Sequence, residues 1–341
     1  MTTATHEPPI LQQTTPERRI EDAETLLKRL DWHVVRRLDG LLQGDYRSLF
    51  AGHGFDLSEV REYTPEDDVR YMDWNVTARM GEPYVRQYIE DREITGWLLL
   101  DLSPSVDFGT ANSRKSDLVV DFAGVVSRLL TRHGNKVGAI LFSNAVDEVL
   151  PARGGQLQTL RIIHQLIRPD GALRLGEAPG ASPRDWQRDA NGSVTDLTGI
   201  LDRAGQTLRR RSLVFVVSDF IADAGWEAPL SRLAQRHEVV AVWLTDPREE
   251  EIPAIGPLVL EDAETGRQVY VDTRDAGFQQ RFRALVEERR SHIGRTFARN
   301  GVDAMRLSTD GNLVEEIARF AHLRRETRRR SAGRPAGGVR V

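Results

Sequence analysis

From Thr95 onward, short apolar runs alternate with amphipathic stretches long enough to be helices, and this alternation fixes the class of fold. Residues 95–100 form an apolar run that ends on Asp101, the pattern of a strand buried on both faces. Residues 113–133 follow, with Leu118, Val119, Phe122, Val125, Val126, Leu129 and Leu130 at helical spacing and Gly134 just past the end, where a left-handed cap is wanted. The same reading gives strands at 137–142, 146–150, 212–217, 238–244 and 303–307. It gives helices at 157–167, 196–210, 226–236, about 275–300 and 313–323. Strands separated by helices of this length need crossover connections. The chain is therefore expected to build an α/β domain, a mainly parallel sheet with helices on both faces. Residues 258–260 and 268–271 flank Thr265-Gly266 and read as a hairpin at the edge of that sheet.

The flanks differ from this core. Residues 1–19 are polar and contain Pro, the composition of a disordered tail. Residues 20–43 carry Leu26, Leu27, Leu30, Val34, Leu38, Leu41 and Leu42 at helical spacing, with an interruption expected near Trp32. Residues 44–92 lose that periodicity and are expected to form loops and short strands docked on the larger domain. The expected division is a tail at 1–19, an N-terminal helix and docking block at 20–94, the α/β domain at 95–323, and a basic tail at 324–341. The basic tail holds seven Arg and one Glu and reads either as a solvated segment or as an arm for acidic partners, nucleic acid or anionic lipid, the last giving peripheral membrane association. In the docking block, Glu62, Asp67, Asp68, Arg70, Asp73, Arg79 and Arg86 suggest a salt-bridged seam against the α/β domain, anchored by Trp74 and Tyr84. The alternative for these residues is a partner-recognition surface.

Composition removes several functions. The chain of 341 residues has no Cys, which excludes disulfides, thiolate zinc sites and Cys nucleophiles. With 47 Lys+Arg against 51 Asp+Glu, it lacks the excess charge of a dedicated nucleic-acid binder. No apolar run approaches the roughly 20 residues of a spanning helix, and the first 19 residues lack the apolar centre of a signal peptide. The expected address is the cytoplasm. The G-x-x-x-x-G-K-[ST], H-E-x-x-H and G-x-S-x-G patterns are missing, so a P-loop nucleotide site, a zinc protease and an ordinary serine hydrolase are not expected.

Open α/β sheets bind ligands beyond the carboxyl ends of their strands. There the sequence sets Asp101, Ser103 and Ser105 after one strand, Asp219 after another, and Thr195 before a helix. Singly, each is an ordinary turn or cap residue. Together they offer only oxygen donors, which select a hard cation, Mg²⁺ or Mn²⁺, over zinc. Weak hydroxyl donors leave such an ion electrophilic and ready to accept a further carboxylate.

Asp101-x-Ser103-x-Ser105 after a buried strand, with a later Thr and Asp, resembles the metal-ion-dependent adhesion site of von Willebrand factor A domains. The segments 55–63 and 65–70, with Asp73-Trp74 and Tyr84-Val85, resemble the bacterial MoxR-associated family, a domain of unknown function joined to an A-type domain. The resemblance implies that Ser103, Ser105 and Thr195 touch the ion directly, with Asp101 and Asp219 often acting through water. Thr195, rather than Thr198, stands where the family's Thr does, although Val194 replaces the Gly common before it. It further implies a non-enzymatic interaction module whose partners are a MoxR-type AAA+ ATPase and an acidic side chain of a client protein.

Two other functions compete. Asp101 beside Mg²⁺ resembles the nucleophile of an aspartate-based phosphatase. Ser103 stands where that chemistry wants a second carboxylate, and no Lys is evident to neutralise a phosphoryl group. An electrostatic binder acting through the Arg-rich tail would bind in a salt-sensitive manner, indifferent to metal.

Overall fold

The apolar runs pair as the strands of one central sheet. A computed structural model of the chain describes residues 23–42, 60–65, 67–86, 94–143, 146–167, 195–261 and 267–332. The tail read at 1–19, most of the 55–63 motif, Glu66 and residues 168–194 lie outside the described residues.

In chain order the helices are α1 (Ala23–Leu30), α2 (Arg36–Leu42), α3 (Trp74–Met80), α4 (Lys115–Arg132), α5 (Gln156–Leu166), α6 (Leu197–Thr207), α7 (Glu227–Arg236), α8 (Pro247–Glu250), α9 (Ala276–Arg299) and α10 (Leu313–Ala332). The strands are β1 (Val60–Glu62), β2 (Tyr84–Arg86), β3 (Thr95–Asp101), β4 (Lys136–Phe142), β5 (Val146–Arg153), β6 (Leu213–Ser218), β7 (Glu238–Thr245), β8 (Pro257–Glu261), β9 (Gln268–Asp272) and β10 (Asp303–Ser308). The central sheet has the order β10-β7-β6-β3-β4-β5. All its neighbours are parallel except the β4–β5 pair.

The alternation of side chains along β3 divides the core. Leu98 and Leu100 join an apolar cluster with α1, α4, α5 and α10. Trp97 and Leu99 join a second cluster with α6, α7 and α9 on the opposite face. The expected α/β architecture, helices over both faces of a mainly parallel sheet, is therefore present.

α1 belongs to the main core rather than to a docked block. Leu26, Leu27 and Leu30 are buried in the same cluster as α4 and α5. Gly124 of α4 permits this approach, because a Cβ there would lie 2.7 Å from Leu30 Cδ1. The expected break near Trp32 is a π-helical turn, Asp31–Val35. It leaves Trp32 exposed beneath the Arg36 guanidinium, 4.2 Å from the ring centre.

Three other expectations change. The segment from β1 to α3 does carry ion pairs, but those of Asp67 and Asp68 close within it. Arg61 donates to both oxygens of Asp67 at 2.7 and 2.6 Å, and Arg70 pairs with Asp68. Those bonds hold the Asp67 carboxyl down at about 2. Asp73 caps α3 by accepting from Asn75 and Val76, while Trp74, expected as an anchor, is 69% exposed. β8 and β9 form a separate two-stranded sheet instead of extending the central one. Finally, α10 does not stop at Leu323 but continues to Ala332, and Arg324 is buried, bonded to Asp303 and Glu238. A buried basic residue that bonds a carboxylate only 10% exposed, Glu238, and a second, half-exposed one, Asp303, is part of the fold.

His237, just past the end of α7, is buried, and among the described residues neither ring nitrogen has a hydrogen-bond partner. Burial, then the charges of Arg236 and Arg211, pull its pKa below the ordinary value. The unfolded chain thus takes up a proton near pH 6.5 that the folded chain refuses. Stability is expected to fall as pH drops below about 6.5 and to stop falling through this group once pH passes below the folded pKa. Urea unfolding of His237→Gln against the parent at pH 7.5 and 5.5 checks this: the variant should lose part of the acid sensitivity.

Candidate functional site

The strand order places the site. From β3 the chain runs outward through β4 and β5, and from β6 it runs the other way through β7 and β10. The reversal lies between β3 and β6, and ligands of open α/β sheets bind at this switch point, beyond the carboxyl ends of the strands. The register sets Leu100 opposite Val217, so Asp101 and the Ser218-Asp219 pair emerge side by side.

The turn after β3 gathers the first donors. Asp101 Oδ1 accepts from Ser103 N at 2.9 Å, and a 3₁₀ turn over Pro104–Val106 brings Ser105 Oγ to 3.1 Å from Ser103 Oγ. Ser218 Oγ donates to Asp101 Oδ2 at 2.5 Å and accepts from Phe220 N, joining the two strand ends. Asp219 Oδ1 accepts from Ile221 N at 3.0 Å. Phe220, next in the chain, holds φ at 55°, a conformation rare for a large side chain. Its ring is buried against Trp226 and Phe297, with centres 5.5 and 5.0 Å away. Aromatic packing offsets the backbone strain there and fixes the bend that carries Asp219.

The five expected ligands are each almost wholly buried: Asp101 and Ser103 at 0% exposure, Asp219 at 2%, Thr195 at 3% and Ser105 at 6%. Burial, and then the nearby charge of Asp219, push the Asp101 carboxyl up to about 7, against the bonds from Ser103 and Ser218. Asp101, Ser103, Ser105 and Asp219 are thus brought together. Thr195 is buried immediately before Asp196, which caps α6 by accepting from Gly199 N. Gly192-Ser193-Val194, whose departure from the resemblance bears on the reach of Thr195, lies outside the described residues.

Two residues missed in the sequence complete the site. Lys115, in the first turn of α4, is fully buried and donates to Asp219 Oδ2 and Glu249 Oε1, each at 2.7 Å. Burial pulls its pKa down, but the two carboxylates more than offset this and the ammonium stays charged. Burial lifts the Glu249 carboxyl, against the attraction of Lys115. The absence of a nearby Lys, one ground against a phosphatase, is therefore corrected, whereas Ser103 still stands where that chemistry wants a carboxylate. Both residues left a trace in the sequence. A Lys opening a helix opposes the helix dipole, and Glu249 follows a strand end in Asp246-Pro247-Arg248-Glu249.

Asp246 supports this arrangement from the end of β7. It accepts from Thr110 N and Oγ1 and from Thr309 Oγ1, at 2.6–2.8 Å, and from Arg248 N. Burial pushes its carboxyl up, but the bonds from Thr110, Thr309 and Arg248 outweigh burial and hold it low. The loop from the Asp101 turn to Lys115 is thereby tied to β7 and β10. Beside Asp219 and Glu249 opens a cleft of about 30 Å³, also lined by Ile221, Trp243 and Arg289. It has room for roughly one water.

The donor set fits a hard divalent cation, with two carboxylates and three hydroxyls and no nitrogen or sulfur. Among the described residues, no three His, Asp or Glu side chains form a metal-binding group on their own, so the hydroxyls are essential to any such site. Asp219, expected as a ligand, already carries an ammonium.

A family model described as "Protein of unknown function DUF58" matches residues 59–292. The chain belongs to the DUF58 family. An uncharacterized protein of Mycobacterium tuberculosis is 36% identical over 320 residues, 94% of each chain, and one from Mycobacterium bovis matches equally. Among solved structures, BatB from Bacteroides thetaiotaomicron is similar over 68% of this chain and 99% of its own, at 13% identity and a TM-score of 0.42. The SpRpn10 VWA domain is similar over 66% and 93%, at 13% identity and a TM-score of 0.30. Among the described residues of this DUF58 chain, no helix is long and apolar enough to cross a membrane.

Proposed function

We propose that this DUF58 protein is a non-enzymatic, metal-dependent protein-interaction module. Ser103, Ser105 and Thr195 would hold Mg²⁺ or Mn²⁺ with Asp101 and Asp219, and the ion would supply an electrophilic position for an acidic side chain of a client. The partner that organises this binding is a MoxR-type AAA+ ATPase, the two acting together in assembly or maturation in the cytoplasm. The observation that supports the reading is the meeting of Asp101, Ser103, Ser105 and Asp219 at the switch point of the sheet. Catalysis by Asp101 is the weaker reading, since its oxygens are engaged by Ser103 and Ser218 and position 103 is a serine.

Capture of the MoxR-type ATPase encoded in the same cell by the full chain tests the proposal. With Mg²⁺ present, binding is expected to fall at least about tenfold, some 1.4 kcal/mol, on adding EDTA and again in Ser103→Ala. Undiminished capture in both arms overturns the reading. Salt-sensitive capture indifferent to EDTA would assign binding to the Arg-rich C-terminal segment instead.

A further inference from the structure

The Lys115 ammonium contacts Asp219 and Glu249 at equal distance, 2.7 Å, with the Lys side chain 0%, Asp219 1% and Glu249 24% exposed. A buried carboxylate needs a counter-charge, and here the chain supplies one from its own helix. A divalent ion arriving at Asp219 meets a cation already in place. We propose that Lys115 is the resident cation of this site and competes with the divalent ion for Asp219, with Glu249 as the carboxylate to which the ammonium withdraws when the ion binds. The inference rests on the metal-dependent reading of the site, and it assigns the affinity of that site to two residues outside the ligand set.

The geometry makes the exchange local. The bond from Lys115 to Asp219 breaks, the bond to Glu249 remains, and Asp219 turns its freed oxygen to the ion. Lysine suits this role because its ammonium is a compact charge on a flexible stem, with three donors that can be redistributed. Glu249 also suits it, since its carboxylate is the least buried of the three groups and borders the cleft. Ammonium and ion cannot both sit close to Asp219, because like charges a few ångströms apart repel by several kcal/mol even at an effective dielectric of about 20. The ammonium-held form also explains how two buried carboxylates remain stable at one rim without an ion.

The two residues therefore have opposite effects on metal binding. Lys115→Met removes the competitor while keeping the stem's bulk, so Mn²⁺ should bind at least about tenfold more tightly than to the parent chain. Glu249→Gln removes the place of withdrawal and leaves the ammonium on Asp219, so Mn²⁺ should bind several-fold more weakly. The measurement is titration of the full chain with Mn²⁺ alone, following free ion by electron paramagnetic resonance, with Lys115→Met/Asp219→Asn as the variant that should lose the gain.

Equal Mn²⁺ affinity in the parent and Lys115→Met, or tighter binding in Glu249→Gln, overturns the competition while leaving the metal-dependent reading intact. Binding to Lys115→Met but not to the parent supports the competition and sinks metal dependence of the parent chain. No binding by any form sinks both. If Lys115→Met fails to fold, Glu249→Gln decides: affinity equal to the parent's overturns the proposal.

Discussion

Arg324→Ala is expected to destabilise the protein by about 3–5 kcal/mol, the cost of removing one partner from a buried ion pair. Arg324 is 6% exposed on α10. Its Nε donates to Asp303 Oδ2 at 2.7 Å, and a second guanidinium nitrogen bonds Glu238. Asp303 opens β10 and Glu238 opens β7, neighbouring parallel strands at one side of the sheet. The guanidinium thus fastens the last helix across the amino ends of two strands, and alanine leaves a buried Glu238 carboxylate without that cation. Arg324→Lys should restore only part of the loss, because an ammonium cannot reproduce the two-direction fork. Urea unfolding monitored by circular dichroism measures both. A loss below 1 kcal/mol for Arg324→Ala would show that the guanidinium is not needed to hold α10. The result also governs any test of the basic segment: a truncation that begins at Arg324 removes a structural clamp along with the basic charge.

The same residue shows where sequence reading runs out. Periodicity identified the strands and helices of the sheet because each must bury one face or both, and burial writes itself into spacing. Asp101, Ser103, Ser105 and Asp219 were legible because strand ends in an open sheet are where polar residues have a site to serve. Arg324, Lys115 and Glu249 were not. A charged side chain looks the same in sequence whether water or a buried partner receives it. Lys115 lies 104 residues from Asp219 and 134 from Glu249, and only the parallel topology brings them together. Asp67 and Asp68, two members of the expected seam, show the complementary case: they found partners within a few residues, Arg61 and Arg70, and local pairing needs no second domain. Trp74 shows that a large aromatic in a charged segment is not necessarily an anchor.

The buried ammonium has a second consequence, for stability rather than for metal binding. Lys115→Ala leaves Asp219 and Glu249 facing each other beside Asp101 with no internal cation, and is expected to cost about 3–5 kcal/mol in metal-free buffer. The triple variant Lys115→Met/Asp219→Asn/Glu249→Gln removes all three charges at nearly constant volume. It should recover most of that loss, because replacing a whole buried ionic group is often neutral, whereas breaking one open is costly. Urea unfolding in EDTA compares the parent, the single and the triple variants. If the triple variant were as unstable as Lys115→Ala, the loss would come from the missing side-chain volume under α4 and not from uncompensated charge. If the single variant were as stable as the parent, the ammonium would not be needed to hold the two acidic side chains at the rim. Recovery in the triple variant alone is the result expected where Lys115 supplies the internal counter-charge of Asp219 and Glu249, the charge that a divalent ion would have to displace.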